Sequence, residues 1–333
     1  MIPRLHALLF ALLMAAQPLP LHAGSYADNP QAQRFIDEMV KKHGFDRAEL
    51  QALFGRIEKK QSILDAISRP AEAKPWHEYR PIFLTDSRIE GGVEYWRENR
   101  EILDKAADAF GVDPRVIVAI IGVETRYGQH AGRYRVADAL ATLAFDYPPR
   151  AKFFRSELEQ FLLLTREERV DPLDAKGSYA GAMGHGQFIP SSYREYAVDF
   201  DDDGHRDLWH SRYDIIGSVA NYLSRHGWQR GAPVAQPGKV SGNDWHGFLD
   251  KGLKPSVPLG RLRAAGVQVA AGLGDELPAA LLELEGENGA EYWVGFNNFY
   301  VITRYNRSPL YAMAVHQLSQ EIEKQYRMAD DDE

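Results

Sequence analysis

Apolar residues recur at helical spacing along most of the chain. Within Gln31–Ala73, Phe35, Met39 and Val40 mark one helix face, and Leu50, Leu53, Phe54 and Ile57 mark a second. Gly44 suits the end of the first helix and Asp46 the N-cap of the next, while Pro70 and Pro75 break the pattern. Trp76–Phe83, WHEYRPIF, reads as an aromatic-rich connector. A longer helix is predicted from Asp86 to Phe110, with Val93, Trp96, Ile102, Leu103 and Ala106 on its inner face. In the next stretch, Asp113–Tyr127, the residues Val116 to Ile121 and Val123 are apolar nearly all round, which predicts a helix inside the protein. Asp113 suits its N-cap and Pro114 its first position, where a missing N–H is harmless. Further helices are predicted over Val136–Ala144, Ala151–Glu168, Ile215–His226 and Ser308–Lys324. From Trp228 to Gly286 glycine and proline are frequent and short runs alternate, as in Val267–Val269 and Ala280–Glu285. Glu285–Ala290, EGENGA, is a hairpin-turn sequence, and Glu291–Thr303 reads as β-rich. The fold class that follows is mainly α with a small β-rich insertion, an α+β protein.

Composition stays within ordinary globular bounds: 333 residues, 44% hydrophobic and 26% charged, suffice for two or three cores. The net charge of −8 argues against bulk attraction to nucleic acid, so an anionic substrate needs a local basic cluster. There are no cysteines, so stability rests on packing or a bound ion. Residues 1–23 have the make-up of an export signal: Arg4, an apolar run from Leu8 to Ala16, and Leu21-His22-Ala23 as a small-residue cleavage site. That run is too short to anchor in a bilayer; an uncleaved interfacial helix is the alternative. A soluble protein of an extracytoplasmic compartment is expected, without a transmembrane anchor in its mature form. Asp330–Glu333 reads as a solvated tail.

Three features carry candidate chemistry. Glu124 follows the apolar run of the central helix. A carboxyl in apolar surroundings resists ionisation, and one still protonated near neutral pH is what a general acid needs. Glu124 also reads as a buried glutamate paired with Arg126 or another arginine. Small residues at Ala180–Gly184 and Gly186 permit close backbone approach, either to a ligand or to a neighbouring element. Asp199–His205, DFDDDGH, opens like an EF-hand loop: carboxylates at positions 1, 3 and 5, glycine at 6 and a backbone carbonyl at 7 suit Ca2+ better than Mg2+. Position 12 is His210, so the usual bidentate glutamate is missing there, and a solvated acidic turn is the alternative.

Six motifs in order carry a family resemblance: GVETRYG (Gly122–Gly128), DYPPRAKFFRSEL (Asp146–Leu158), GSYAGAMGHGQFIPSSY (Gly177–Tyr193), DFDDDGH (Asp199–His205), IGSVANYL (Ile216–Leu223) and NNFYVITRYNRSPLYAMAV (Asn297–Val315). Together they resemble the membrane-bound lytic transglycosylase B family, including its soluble Slt35-like form, and the resemblance runs from Asn29 to Gln325. It implies a goose-lysozyme-like core at 105–227 containing the EF-hand-like loop 199–214. It implies an N-terminal helical domain at 24–104 joined by the C-terminal helix 308–326. A small β-rich domain would occupy 228–284, with a return to the core at 285–307 and an acidic tail at 327–333.

The activity implied is cleavage of the β-1,4 bond between N-acetylmuramic acid and N-acetylglucosamine in periplasmic peptidoglycan. No water is consumed, and a 1,6-anhydromuramic end results. Glu124 matches the family's single catalytic acid, donor first and acceptor afterwards. Ser178 matches a serine near the substrate's N-acetyl group; taken alone it reads as a cap or turn residue. Tyr79, Gln187, Tyr222, Tyr305, Asn306 and Tyr311 match residues lining the sugar cleft, although the tyrosines also fit a core. Arg150 matches an arginine that meets the peptide stem or the muramyl carboxylate. Pro149, Phe153 and Ile189 depart from the family pattern, which bears on substrate preference and leaves the catalytic plan intact. The family's metal loop is closed by a later aspartate, here Asp214. Asp199, Asp201, Asp203, His205 and Asp214 are then the ligands of a structural Ca2+. Peptidoglycan strands are the implied partner, with cell-wall synthases as further candidates. Two rivals stand beside this reading: a muramidase that uses water, and a non-catalytic peptidoglycan-binding protein.

Overall fold

The computed structural model describes residues 25–69 and 74–330; the expected export signal, Pro70 and the last residues of the acidic tail lie outside the described residues. The chain forms two compact units, one ending at Lys59 and the other beginning at Lys60. In the first, α1 (Pro30–His43) and α2 (Arg47–Arg56) pack through Phe35 and Phe54, whose rings lie 5.9 Å apart. Asn29 and Asp46 cap these helices by accepting backbone N–H bonds, and Gly44 ends the first in a left-handed conformation.

The second unit opens with α3 (Gln61–Ile67), α4 (Trp76–Phe83), α5 (Asp86–Glu98), α6 (Arg100–Phe110) and α7 (Pro114–Thr125). β1 (Tyr134–Arg135), α8 (Val136–Asp146), α9 (Ala151–Glu168), β2 (Lys176–Gly177), α10 (Pro190–Tyr196) and α11 (Arg212–Arg225) follow. The insertion holds β3 (Ala235–Val240), β4 (Val257–Pro258), α12 (Leu259–Ala264), β5 (Val267–Gln268), β6 (Pro278–Gly286) and β7 (Gly289–Gly295). α13 (Asn297–Tyr305) and α14 (Pro309–Asp330) complete the unit.

α7 is the axis of this unit. Val116 through Val123 are all buried, with α5, α6, α11 and α14 packed around them. Each valine or isoleucine among them contributes about 1.5–3 kcal/mol by leaving water. Trp96 of α5 stacks on Tyr326 of α14 at 4.5 Å, closing the bundle on one side. The five-stranded sheet runs β4-β6-β7-β3-β5, antiparallel throughout, over a core that includes Leu259, Leu281, Val294 and Phe296. The EGENGA turn joins β6 to β7, with Gly286 opposite Gly289. No described helix is long and apolar enough to cross a membrane.

Three elements differ from the sequence expectation. Trp76–Phe83 is a helix despite Pro81, with Trp76, Tyr79 and Phe83 in tilted ring contacts along one face, at 6.5 and 5.1 Å. Asp86–Phe110 is two helices: Asn99 leaves helical geometry, and its side-chain amide donates back to the Tyr95 carbonyl. Asn297–Tyr305 is helical, not strand. Asn298 donates to the Gln229 and Ala232 carbonyls and accepts from the Gln229 amide, pinning the helix start, while Phe299, Val301 and Ile302 fill the core. Tertiary packing overrides the β preference of those residues.

Candidate active site

Glu124 stands on the last turn of α7, and the chain turns sharply after it: Arg126 and Tyr127 are both left-handed, at φ 51° and 60°. Two such non-glycine residues cost of order 1–3 kcal/mol each, so the surroundings must hold them. Tyr127 donates its hydroxyl to the Arg88 carbonyl at 2.7 Å. Its ring lies over Gly122, where a Cβ would come within 2.5 Å of Oη, so the helix needs glycine there. The Thr125 hydroxyl donates to the His185 carbonyl at 3.0 Å, with the Ile121 carbonyl also in reach at 3.2 Å, and accepts from the Gly128 amide.

Glu124 as a residue is half-buried, and its carboxyl lies in enclosed surroundings. Tyr311, near the start of α14, donates to Oε1 at 2.6 Å. Burial pushes the Glu124 pKa up to about 7, and the Tyr311 hydrogen bond pulls against that rise. The penalty on the charged form is of order 3 kcal/mol. Arg126 reaches the Ser87 hydroxyl at 2.8 Å, and among the described residues Glu124 has no cationic partner. The glutamate–arginine alternative is therefore not the arrangement found.

Aromatic side chains build a wall from this point. Tyr311 and Tyr305 are held well above the ordinary phenol range, first by burial and then by the charge of Glu124, so both stay protonated. Tyr305 donates to the Gly186 carbonyl and Tyr222 to the Arg304 carbonyl, each at 2.6 Å. The rings of Tyr222 and Tyr305 are 4.7 Å apart, with Phe188 within 6 Å of both. Tyr79, on α4, is close enough for its phenol to act electrostatically on Tyr311. Gln187 adopts φ 51° and donates its amide to the Ala131 and Gly184 carbonyls. Ser178 accepts the Ala180 and Ala182 amides at its hydroxyl oxygen, which leaves the hydroxyl proton to donate. Asn306 accepts from the Ser308 amide, between α13 and α14. Arg150 makes its contacts elsewhere, with its guanidinium over the Phe153 and Phe154 rings at 4.3 and 5.2 Å. Sequence reasoning singled out neither Thr125 nor Phe188; the only signal was their place inside the motifs around Glu124 and Gln187.

In the acidic loop, oxygens of Asp199, Asp201 and Asp203 lie within 4.8 Å of one another. Asp199 accepts the Asp203 and Gly204 amides, and Asp203 accepts the His205 amide. Asp214 is fully buried and accepts the Phe200 and Asp207 amides, both at 2.7 Å, so it ties both limbs of the loop together. Burial raises its pKa to about 6 against those two hydrogen bonds.

Residues 27–320 match the transglycosylase SLT domain family. The chain belongs to that family. Over 309 residues it is 48% identical to the membrane-bound lytic murein transglycosylase B of Escherichia coli (strain K12), covering 90% of this chain and 84% of that one. It superposes on the soluble lytic transglycosylase SltB1 of Pseudomonas aeruginosa with TM-score 0.85 and 52% identity, covering 89% of this chain and 99% of that one. The Escherichia coli lytic transglycosylase Slt35, solved in complex with calcium, matches with TM-score 0.84 and 47% identity, covering 91% and 96%. Both the family resemblance and the mainly helical fold expected from the motifs are borne out. As a member of the family, the chain is a lytic transglycosylase, an enzyme acting on peptidoglycan.

Proposed function

We propose that Glu124 is the one acid of this transglycosylase. The observation that carries the reading is a buried carboxyl with no cationic partner among the described residues and one oxygen taken by Tyr311. With Oε1 accepting from Tyr311, Oε2 is the oxygen left to carry the proton. Glu124 gives that proton to the glycosidic oxygen between N-acetylmuramic acid and N-acetylglucosamine as the C1–O4 bond breaks. The carboxylate left behind is stabilised by the Tyr311 hydrogen bond. The C6 hydroxyl of the muramic acid then attacks C1, and Glu124 takes its proton. A 1,6-anhydro ring forms, Glu124 is reprotonated and no water is used. Burial and the Tyr311 hydroxyl set the Glu124 pKa, whereas a two-carboxylate hydrolase would need a partner acid about 5–9 Å away.

Tyr79, Tyr222, Tyr305 and Tyr311 form the wall against which sugar rings pack, with Gln187, Asn306 and Ser178 supplying polar contacts and Arg150 meeting an anionic group of the peptide stem. Asp199, Asp201 and Asp203, with the His205 carbonyl, hold a Ca2+ ion: three converging hard oxygens suit that ion. Asp214 closes the loop from the inside. The ion would stiffen the loop electrostatically, without a part in bond cleavage. Residues 1–23 direct export to the periplasm, and the mass of the mature N-terminus tests this: a start at Gly24 is expected, and an intact Met1 in the exported protein contradicts it. The catalytic proposal is tested with Glu124→Gln on purified sacculi. Release of anhydro products should stop while the fold persists, and wild-type turnover would overturn the assignment.

A further inference from the structure

A short turn, residues 184–187, fixes one wall of the proposed site. Its two ends are left-handed, Gly184 at φ 66° and Gln187 at φ 51°. Between them the Gly186 carbonyl seats the Tyr305 hydroxyl. A strained turn keeps its shape only when its neighbours over-determine it.

His185 supplies most of those ties. Its amide donates to the Leu208 carbonyl at 2.9 Å, and its carbonyl accepts from Thr125, the residue after Glu124. Its ring covers Gly128 so closely that a Cβ there would lie 2.2 Å from Cε1. Its Nδ1 lies 3.1 Å from Nη1 of Arg212. Arginine offers only N–H donors, so Nδ1 must accept, and the imidazole is neutral with its proton on Nε2. Burial, and then the Arg212 charge, keep it so.

Arg212 has a second anchor. Its guanidinium lies over the ring of Tyr95 at 5.1 Å, and Tyr95 in turn packs on Tyr127 at 5.6 Å. Tyr127 belongs to the left-handed pair that follows Glu124. Arg212 is the first residue of α11, directly after the N-cap Ser211, whose hydroxyl donates to Asp201 of the acidic loop. One guanidinium thus touches both the turn that seats Tyr305 and the aromatic pair whose Tyr127 follows Glu124 in the left-handed turn.

We propose that Arg212 is a positioning residue of this transglycosylase, acting through the imidazole of His185 to hold the 184–187 turn in register with Glu124. It touches no substrate. The inference rests on the reading of Glu124, Tyr311 and Tyr305 as the glycan site. Lysine is a partial substitute, since an ammonium can donate to Nδ1 but cannot lie flat on Tyr95.

The test uses the full chain as Arg212→Met, Arg212→Lys, His185→Phe and the Arg212→Met/His185→Phe double variant. Turnover of a soluble glycan chain is measured well below each melting temperature, with Glu124→Gln alongside. Arg212→Met is expected to lower kcat about tenfold to hundredfold, the size of loss seen when a reacting geometry shifts by about 1 Å. KM should change by about twofold or less. Arg212→Lys should recover part of kcat, and the double variant should be no slower than the slower single one, because both act through one contact. Arg212→Met within twofold of the parent overturns the proposal. So do losses that multiply in the double variant, or lysine no better than methionine. If Arg212→Met does not fold, His185→Phe carries the same kcat-against-KM test. A fully active Arg212→Met beside an inactive Glu124→Gln sinks this inference alone; an active Glu124→Gln sinks the site reading itself.

Discussion

In the proposed role, protonation of Glu124 bears on both stability and turnover. Its pKa of about 7 in the fold lies above the ordinary 4.5. The native state therefore binds this proton more tightly than the unfolded chain does. Stability from Glu124 is full at low pH and is lost as pH rises through 7. Glu124→Gln cannot ionise, so it should match the parent's melting temperature near pH 4, below the ordinary value, and exceed it near pH 8.5. The difference should be of order 1–3 kcal/mol, read by thermal melting at the two pH values; equal melting at both would contradict the raised pKa. Tyr311 gives a second prediction. Its hydroxyl favours the carboxylate, so Tyr311→Phe should raise the Glu124 pKa further. The alkaline limb of the rate profile should move to higher pH while the maximal rate falls, and a limb that moves down would contradict the assigned hydrogen bond. Glu124 was legible in the sequence because the apolar run announces a buried helix around it. Tyr311 was not legible from pattern: it lies 187 positions away, and periodicity says nothing about which faces meet. Only the family motifs joined the two.

The elements were legible where local chemistry and packing agreed. For α7 the Asp113 cap, Pro114 and the apolar run all point the same way, and the helix runs from Pro114 to Thr125. Ile120→Ala should cost about 2–5 kcal/mol, because its site is fully enclosed and cannot collapse. Urea unfolding measures this, and a loss below 1 kcal/mol would mean the axis is less tightly packed than described. α4 and α13 were missed because both are rich in aromatic or β-branched residues, whose helical state is decided by neighbours distant in sequence. The acidic loop belongs to this scale as well. Adding Ca2+ to chelator-treated protein should stabilise it by RT ln(1 + [L]/Kd), about 2.7 kcal/mol at a hundredfold excess over Kd, and so raise the melting temperature. Asp201→Asn should blunt that rise. Identical melting curves with chelator and with Ca2+ would remove the ion from the account.

Across the whole molecule, chemistry is concentrated where separate elements converge. α7 contributes Glu124, α14 Tyr311, α13 Tyr305, α11 Tyr222 and the loop before α10 Gln187. None of these helices carries a site alone, which is why composition and charge pointed to a globular protein of extracytoplasmic type and no further. The central claim is that a lone glutamate, still partly protonated near neutral pH, supports cleavage without water. The mass of the products released from purified sacculi tests it most directly. The parent should yield 1,6-anhydro muropeptides, one water lighter than reducing-end products, and Glu124→Gln should yield none. Reducing-end products from the parent, or anhydro products from Glu124→Gln at the parent's rate, would contradict it.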